Sequence, residues 1–170
     1  MIEIGTYSTC DKESVIALVL HCQNDGTRPL VGVEDQSDLL HIEEEYIYDG
    51  GNFWVAKENG KVAGTIGLMN KGNGLCILKK FFVYEPYRGK PHNLGQQLYG
   101  VFLEFAKLHG FSRIILDTPK NTDRAHLFYE KAGFRRIEKE ELPVEYDYPY
   151  DDSHLSLIHI SEPTRPISIS

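Results

Sequence analysis

Between residues 81 and 98 the chain reads Phe81-Phe82-Val83-Tyr84-Glu85-Pro86-Tyr87-Arg88-Gly89-Lys90-Pro91-His92-Asn93-Leu94-Gly95-Gln96-Gln97-Leu98. A strand-like apolar run passes through a polar loop into helical spacing. That order suits a phosphate or pyrophosphate, because the first turn of a helix leaves N–H groups without partners and carries the positive end of its dipole. Gly89 and Gly95 let the backbone approach a ligand closely, and Arg88 and Lys90 add positive charge. The spacing matches neither the Walker loop nor the dinucleotide fingerprint. On these residues alone, a loop that merely joins a strand to a helix remains open as the second reading. Glu58, Glu85, Asp35 and Asp38 are candidate bases, although a solvated carboxylate is the stronger reading of each. His92 could touch phosphate, act as a base or face water.

These residues need elements to hold them. Ile2 to Tyr7 alternates apolar and polar residues as a first strand does, and Asp11 is placed to cap a helix with Val15, Leu18, Val19 and Cys22 on one stripe, ended by Asn24-Asp25-Gly26. A shorter helix is expected after Asp35, with Leu39, Ile42 and Tyr46 on one side and Glu43-Glu44-Glu45 facing water. Phe53–Ala56, Val62–Met69 and Leu75–Tyr84 are separated by short turns rich in Gly and Asn, which makes them consecutive antiparallel strands. Leu94, Leu98, Val101, Phe102, Phe105 and Leu108 keep helical spacing up to a Gly110-Phe111 stop. The unbroken run Ile114-Ile115-Leu116 suits a strand buried on both faces and reached by a right-handed crossover, hence parallel to the strand before the helix. Ala125, Phe128, Tyr129 and Ala132 define another helix ending at Gly133-Phe134, and a final hairpin is expected from Phe134 through Glu145 and back, with Pro143 near its turn.

Composition bounds the function. The chain has 170 residues, 41% of them hydrophobic, which suits one domain, and a net charge of −7 that disfavours nucleic acid and anionic membranes as partners. Cys10, Cys22 and Cys76 form neither a disulfide framework nor a zinc cluster, so no metal is expected and a reducing cytoplasm fits best. No apolar stretch approaches the ~20 residues needed to span a bilayer, and Met1-Ile2-Glu3-Ile4 lacks the features of a signal peptide.

Two motifs, in order, resemble the GNAT superfamily of acyl-CoA-dependent N-acyltransferases: Val83-x-x-Pro86-Tyr87-Arg88-Gly89-Lys90 running into the long helix, and Ala125-x-x-Phe128-Tyr129-Glu130-Lys131-x-Gly133-Phe134. With the strands before them they cover roughly residues 53 to 140. The resemblance implies a mixed, mostly antiparallel α/β sheet with a β-α-β cofactor unit, helices on both faces, and acetyl-CoA as cosubstrate. The strand before the loop would be bulged and splayed from its parallel neighbour. Phe82 and Val83 would then offer backbone hydrogen bonds to the pantetheine arm and thioester, and the Val83 N–H would hold the oxyanion. Arg88, Gly89, Lys90, His92, Asn93, Leu94, Gly95 and Gln96 would hold the pyrophosphate. Thr122 would touch the pantetheine, and Tyr129 would protonate the departing thiolate. The family pattern Arg-x-x-Gly-x-Gly/Ala departs here, with two extra residues and Asn93 in place of the first Gly, although Asn tolerates left-handed geometry better than most residues. Direct transfer to a primary amine needs no enzyme nucleophile, so none of the cysteines is expected to be acylated. The acceptor is expected to be a small amino compound and the protein a monomer or homodimer. A noncatalytic acyl-CoA-binding module and a protein Lys or N-terminal acetyltransferase are the alternatives.

Residues 155 to 165 resemble the in-frame translation of a transposon-end sequencing adapter. The natural domain is therefore expected to span 1–154 and to lack its last strand, with 155–170 a foreign tail. The stretch before it resembles a bacterial branch of the superfamily, in which an aromatic strand follows the equivalent of Asp152-Ser153. Leu155 to Ile160 is apolar enough to take part of the vacant sheet edge.

Overall fold

The computed structural model describes residues 1–26, 31–120, 122–145 and 153–160. Its centre is one seven-stranded sheet in the order β1-β2-β3-β4-β5-β7-β6. Strands β1 (Ile2–Thr6), β2 (Asn52–Glu58), β3 (Lys61–Gly72) and β4 (Leu75–Val83) form an antiparallel run. The two turns within it place Asn59 and Gly60, then Asn73 and Gly74, at positive φ, as tight hairpin turns require. Helix α2 (Leu94–Leu108) crosses from β4 to the parallel strand β5 (Arg113–Thr118), and α3 (Asp123–Ala132) leads to β6 (Arg135–Ile137). The α2 stop is as expected: Gly110 has φ +80° and the Phe111 N–H donates to the Ala106 carbonyl at 2.9 Å.

Helices cover both faces. α2 and α3 lay Leu94, Leu98, Phe102 and Tyr129 on Ile66, Leu78 and Ile114. On the opposite face, α1 (Lys12–Gln23) and the turns after it lay Val15, Val19, Leu39, Ile42 and Tyr46 on Phe53, Val55, Ile77 and Ile115. Among the described residues no helix is long and apolar enough to cross a membrane. Gly51 is forced by close approach: a Cβ there would lie 2.0 Å from the Leu68 carbonyl oxygen. Gly51→Ala is therefore expected to cost about 1–3 kcal/mol, as overpacking does, read as a lowered midpoint in urea unfolding.

Three expectations are corrected. Asp11 precedes α1 without bonding its first turn; its carboxylate pairs with Lys57 at 2.7 Å instead, tying the helix start to β2. The expected helix after Asp35 is a chain of short turns, Val33–Asp35 and Ser37–Leu40, then a wide turn Glu43–Ile47 in which the Tyr48 N–H reaches the Glu43 carbonyl at 2.8 Å. It buries the expected Leu39, Ile42 and Tyr46, so packing and not helical periodicity selects them. The final hairpin does not return near Pro143. β6 is three residues long, and its partner is β7 (His154–His159), with Arg135 opposite Leu157 and Ile137 opposite Leu155. β7 is formed by His154 and most of the stretch Leu155 to Ile160 expected to join the sheet, and it lies between β5 and β6. His154 Nδ1 lies 3.2 Å from His126 Nδ1 on α3.

Candidate functional site

Among the described residues one pair of neighbouring strands is parallel, β4 and β5, the two that α2 connects. They pair only at Leu75 with Arg113, Cys76 with Ile114 and Ile77 with Ile115; beyond these the strands have no paired positions and a fork opens. Ligands of open α/β sheets sit outside the carboxyl ends of parallel strands, which is where this fork lies. One limb of the fork carries a bulge, since Thr65 pairs with Phe82 but Gly67 with Lys79, leaving Ile66 opposite both Lys80 and Phe81.

Past the bulge, the Tyr84 N–H donates to the Ala63 carbonyl at 2.9 Å. By the alternation of an antiparallel ladder, the peptide groups of Phe82 then point to β3 and those of Val83 toward the fork. Of the two residues expected to offer backbone to a ligand, Val83 is therefore turned to do so and Phe82 is not. The Val83 carbonyl accepts from Arg88 Nε at 2.8 Å and from the Cys22 thiol at 3.7 Å.

The loop closes as a tight cradle. Asn93 takes the left-handed conformation, with φ 47°, and donates its N–H to the Gly89 carbonyl at 2.7 Å; Gly89 also has positive φ. The loop thus tolerates Asn where the family pattern has Gly. Leu94 enters the core with its side chain fully buried, so it can face a ligand only through its backbone. The N–H groups of Leu94, Gly95 and Gln96 belong to the first turn of α2 and have no intrahelical acceptor. A Cβ on Gly89 would meet nothing within 4 Å, and one on Gly95 nothing nearer than Phe81 Cζ at 3.7 Å.

Other members of the set are placed differently. Arg88 turns back from the cradle: besides the Val83 carbonyl it meets Glu85 Oε1 at 3.6 Å and Cys22 Sγ at 3.8 Å, stitching the end of β4 to α1. Lys90 is exposed, and the His92 ring packs 5.2 Å from that of Tyr87. Thr122 stands at the start of α3 and donates its hydroxyl to the Pro119 carbonyl at 2.7 Å.

Tyr129 is 9% exposed, its ring held edge-on by Phe128 and Phe134 at 5.6 Å. Its hydroxyl bonds to no group among the described residues. Burial, then the nearby charge of Asp117, then Tyr99 push the phenol well above its ordinary pKa, so it is a neutral proton donor throughout the physiological range.

The candidate bases are all engaged. Glu85 accepts His21 Nε2 at 3.1 Å, which holds its carboxyl below the usual range, and Glu58 accepts the Tyr87 hydroxyl at 3.1 Å. Asp35 accepts the Gly32 N–H at 3.2 Å. Asp38 is nearly buried, accepting the Tyr46 hydroxyl at 2.6 Å and facing Lys80 Nζ at 3.4 Å. Cys76 is buried in the sheet, and burial raises its thiol, which keeps it a poor nucleophile.

Two groups at the fork escaped the sequence reading. Lys80 lies on the bulge and Asp117 on β5, the latter near enough to act on Lys80, Tyr46 and Tyr129. Both carried a signal: a lysine inside an apolar strand is rarely buried without a partner, and a carboxylate just after an unbroken apolar strand stands at its ligand-facing end.

The arrangement matches known proteins. An acetyltransferase from Streptococcus agalactiae superposes with a TM-score of 0.89 at 38% identity, covering 94% of this chain and 98% of that one. In sequence, the chain is 32% identical over 111 residues to a probable N-acetyltransferase, camello, of Xenopus tropicalis, and 35% identical over 104 residues to the N-acetylaspartate synthetase of the same species. These matches take in 64% and 60% of this chain but only 50% and 38% of the relatives' own lengths. The model of the acetyltransferase (GNAT) family matches residues 18–134. The fork, the cradle before α2 and the buried tyrosine thus stand in a chain that belongs to the GNAT family of acetyltransferases.

Proposed function

We propose that this chain transfers an acetyl group from acetyl-CoA directly to the primary amine of a small amino compound. The observation that carries the reading is the fork past Ile77 and Ile115, with the Val83 peptide turned into it and the buried Tyr129 ring beside Phe81 of the strand that borders it. The residues fit the cosubstrate: the first turn of α2 and the open space before Gly89 and Gly95 suit a pyrophosphate, and the fork suits an extended arm. Bound acetyl-CoA supplies the thioester carbonyl that the amine attacks.

The protein's own groups do the rest. The Val83 N–H is directed to stabilise developing negative charge in the fork, and Tyr129 holds a proton for the leaving sulfur. An alkyl amine arrives as an ammonium, and freeing its lone pair at neutral pH costs about 4–5 kcal/mol. The similarity to an enzyme named N-acetylaspartate synthetase supports an amino compound as acceptor. We further propose that residues 155 to 165 are an adapter-derived scar whose apolar part stands in for the natural last strand. The codons of the source locus, read from an independent library, decide this: finding the same codons there defeats it.

An acetyl-CoA consumption screen over amines, amino acids and peptides tests the activity. Turnover with a small amine supports it, whereas tight coenzyme binding without transfer to any acceptor makes the chain a binding module. Gly95→Ala tests the cradle separately. Alanine is the better helix former by about 1 kcal/mol and meets only ordinary contacts, so unfolding should shift slightly toward higher stability. Calorimetry should nevertheless show coenzyme A binding weakened by about tenfold or more. Unchanged affinity would place the pyrophosphate elsewhere.

A further inference from the structure

We infer that Lys80, pinned to Asp38, sets the fork: the pair holds β4 on the bulged course that carries Phe81, Phe82 and Val83 away from β5. Resting on the coenzyme reading above, this makes Lys80 and Asp38 positioning residues for the strand segment beside the pantetheine arm.

The bulge changes which way the strand faces. Before it, Ile77 packs with the α1 face and Leu78 with the α2 face; after it, Phe82 packs with the α1 face and Val83 with the α2 face. An unbroken alternation would give the reverse assignment, because a shift of one residue moves every later side chain to the other face. The shift also decides which peptide group, that of Val83, is turned toward the fork.

The turning residue is a lysine at φ 52°, a conformation that side-chain-bearing residues keep only when their surroundings determine it. Two contacts do so here. The Thr65 hydroxyl donates to the Lys80 carbonyl at 2.7 Å and fastens the bulge to β3. The Lys80 side chain, 5% exposed, runs into the α1 face and sets Nζ 3.4 Å from Asp38 Oδ2, the same oxygen that accepts the Tyr46 hydroxyl at 2.6 Å. Tyr46 is itself fully buried, so the anchor is fixed in the core. The other charges facing Lys80 are Lys79 and Asp117. Pairing with β5 stops at Ile77, and Lys80 is pinned three positions on, inside the diverging stretch.

Lys80→Met breaks the pin. Lys80→Met with Asp38→Asn removes both charges while leaving an acceptor for Tyr46, and Thr65→Val loosens the bulge with the ion pair intact. Each variant is titrated calorimetrically with coenzyme A and with adenosine 3′,5′-bisphosphate, which has the nucleotide end without the pantetheine arm. In all three, coenzyme A affinity should fall by about tenfold or more while the bisphosphate stays within about twofold of wild type. Unchanged coenzyme A affinity in a folded variant, or equal losses for both ligands, overturns the inference. Wild-type protein that binds no coenzyme A at all defeats the coenzyme reading first. Should Lys80→Met fail to fold, the neutral pair and Thr65→Val still decide, since buried ion pairs are often replaced by neutral groups at little cost.

Discussion

Tyr129→Phe should lower kcat by about 10- to 1000-fold, the range for loss of one acid catalyst, with KM for acetyl-CoA nearly unchanged. The variant is clean for structural reasons. The contacts of Tyr129 with Phe81, Phe128 and Phe134 are ring contacts that phenylalanine keeps. Its hydroxyl bonds to no group among the described residues, so removing it leaves none of their donors or acceptors unpaired, and the unfolding midpoint should hold or rise slightly. The direction of the pKa shift gives a second readout. Burial first, and then Asp117, favour the neutral phenol, so the acid form is kept as pH rises through the range in which an ordinary tyrosine ionises. Wild-type kcat should therefore show no alkaline decline near pH 10 from this group. Steady-state kinetics of both proteins from pH 6 to 10 check these outcomes together. Full activity in the variant would remove Tyr129 from the reaction.

Much of the framework was legible because it rests on local pattern. Asn59-Gly60 and Asn73-Gly74 announce turns that need positive φ, and the spacing of Leu94, Leu98 and Phe102 marks the buried stripe of α2. The two-motif resemblance placed Tyr129 and the Gly89–Gln96 cradle on the correct elements, and the left-handed tolerance of Asn93 could be argued from residue type alone. What escaped depends on partners distant in sequence. Asp38 and Lys80 are each ordinary polar residues until the fold joins them, and Arg88 reads as a phosphate ligand until the Val83 carbonyl and Cys22 claim it. The bulge is hidden for a related reason: a run as apolar as Leu75–Val83 shows no alternation that a one-residue slip could visibly break. Asp117 reads in the sequence as the end of a buried strand, but only the fork gives that position meaning.

The largest stability effect should come from β7. Ile114, Ile115 and Leu116 are almost completely buried, which requires covered faces and a neighbour along each edge of β5. One edge is paired to β4 for only three positions, whereas β7 pairs with β5 at all six, from Arg113 opposite His159 to Thr118 opposite His154. β7 also carries β6, and its Leu155 and Leu157, 4% and 5% exposed, pack on the α1 face beside Ile115 and Ile137. Leu157→Ala should cost about 2–5 kcal/mol, the range for a buried leucine. Leu155→Ala combined with it should approach the ~5–15 kcal/mol that holds a domain together, and the two costs should not add simply, because both sites share Ile115 and Ile137. Ending the chain at Ser153 exposes an apolar strand edge with unpaired N–H and C=O groups, which invites aggregation. That protein should therefore show no cooperative unfolding transition in urea or should be insoluble. Whatever the origin of its codons, the segment would then be shown to act as the strand that closes the sheet, and a truncated protein that melts cooperatively at the full-length midpoint would show that it does not.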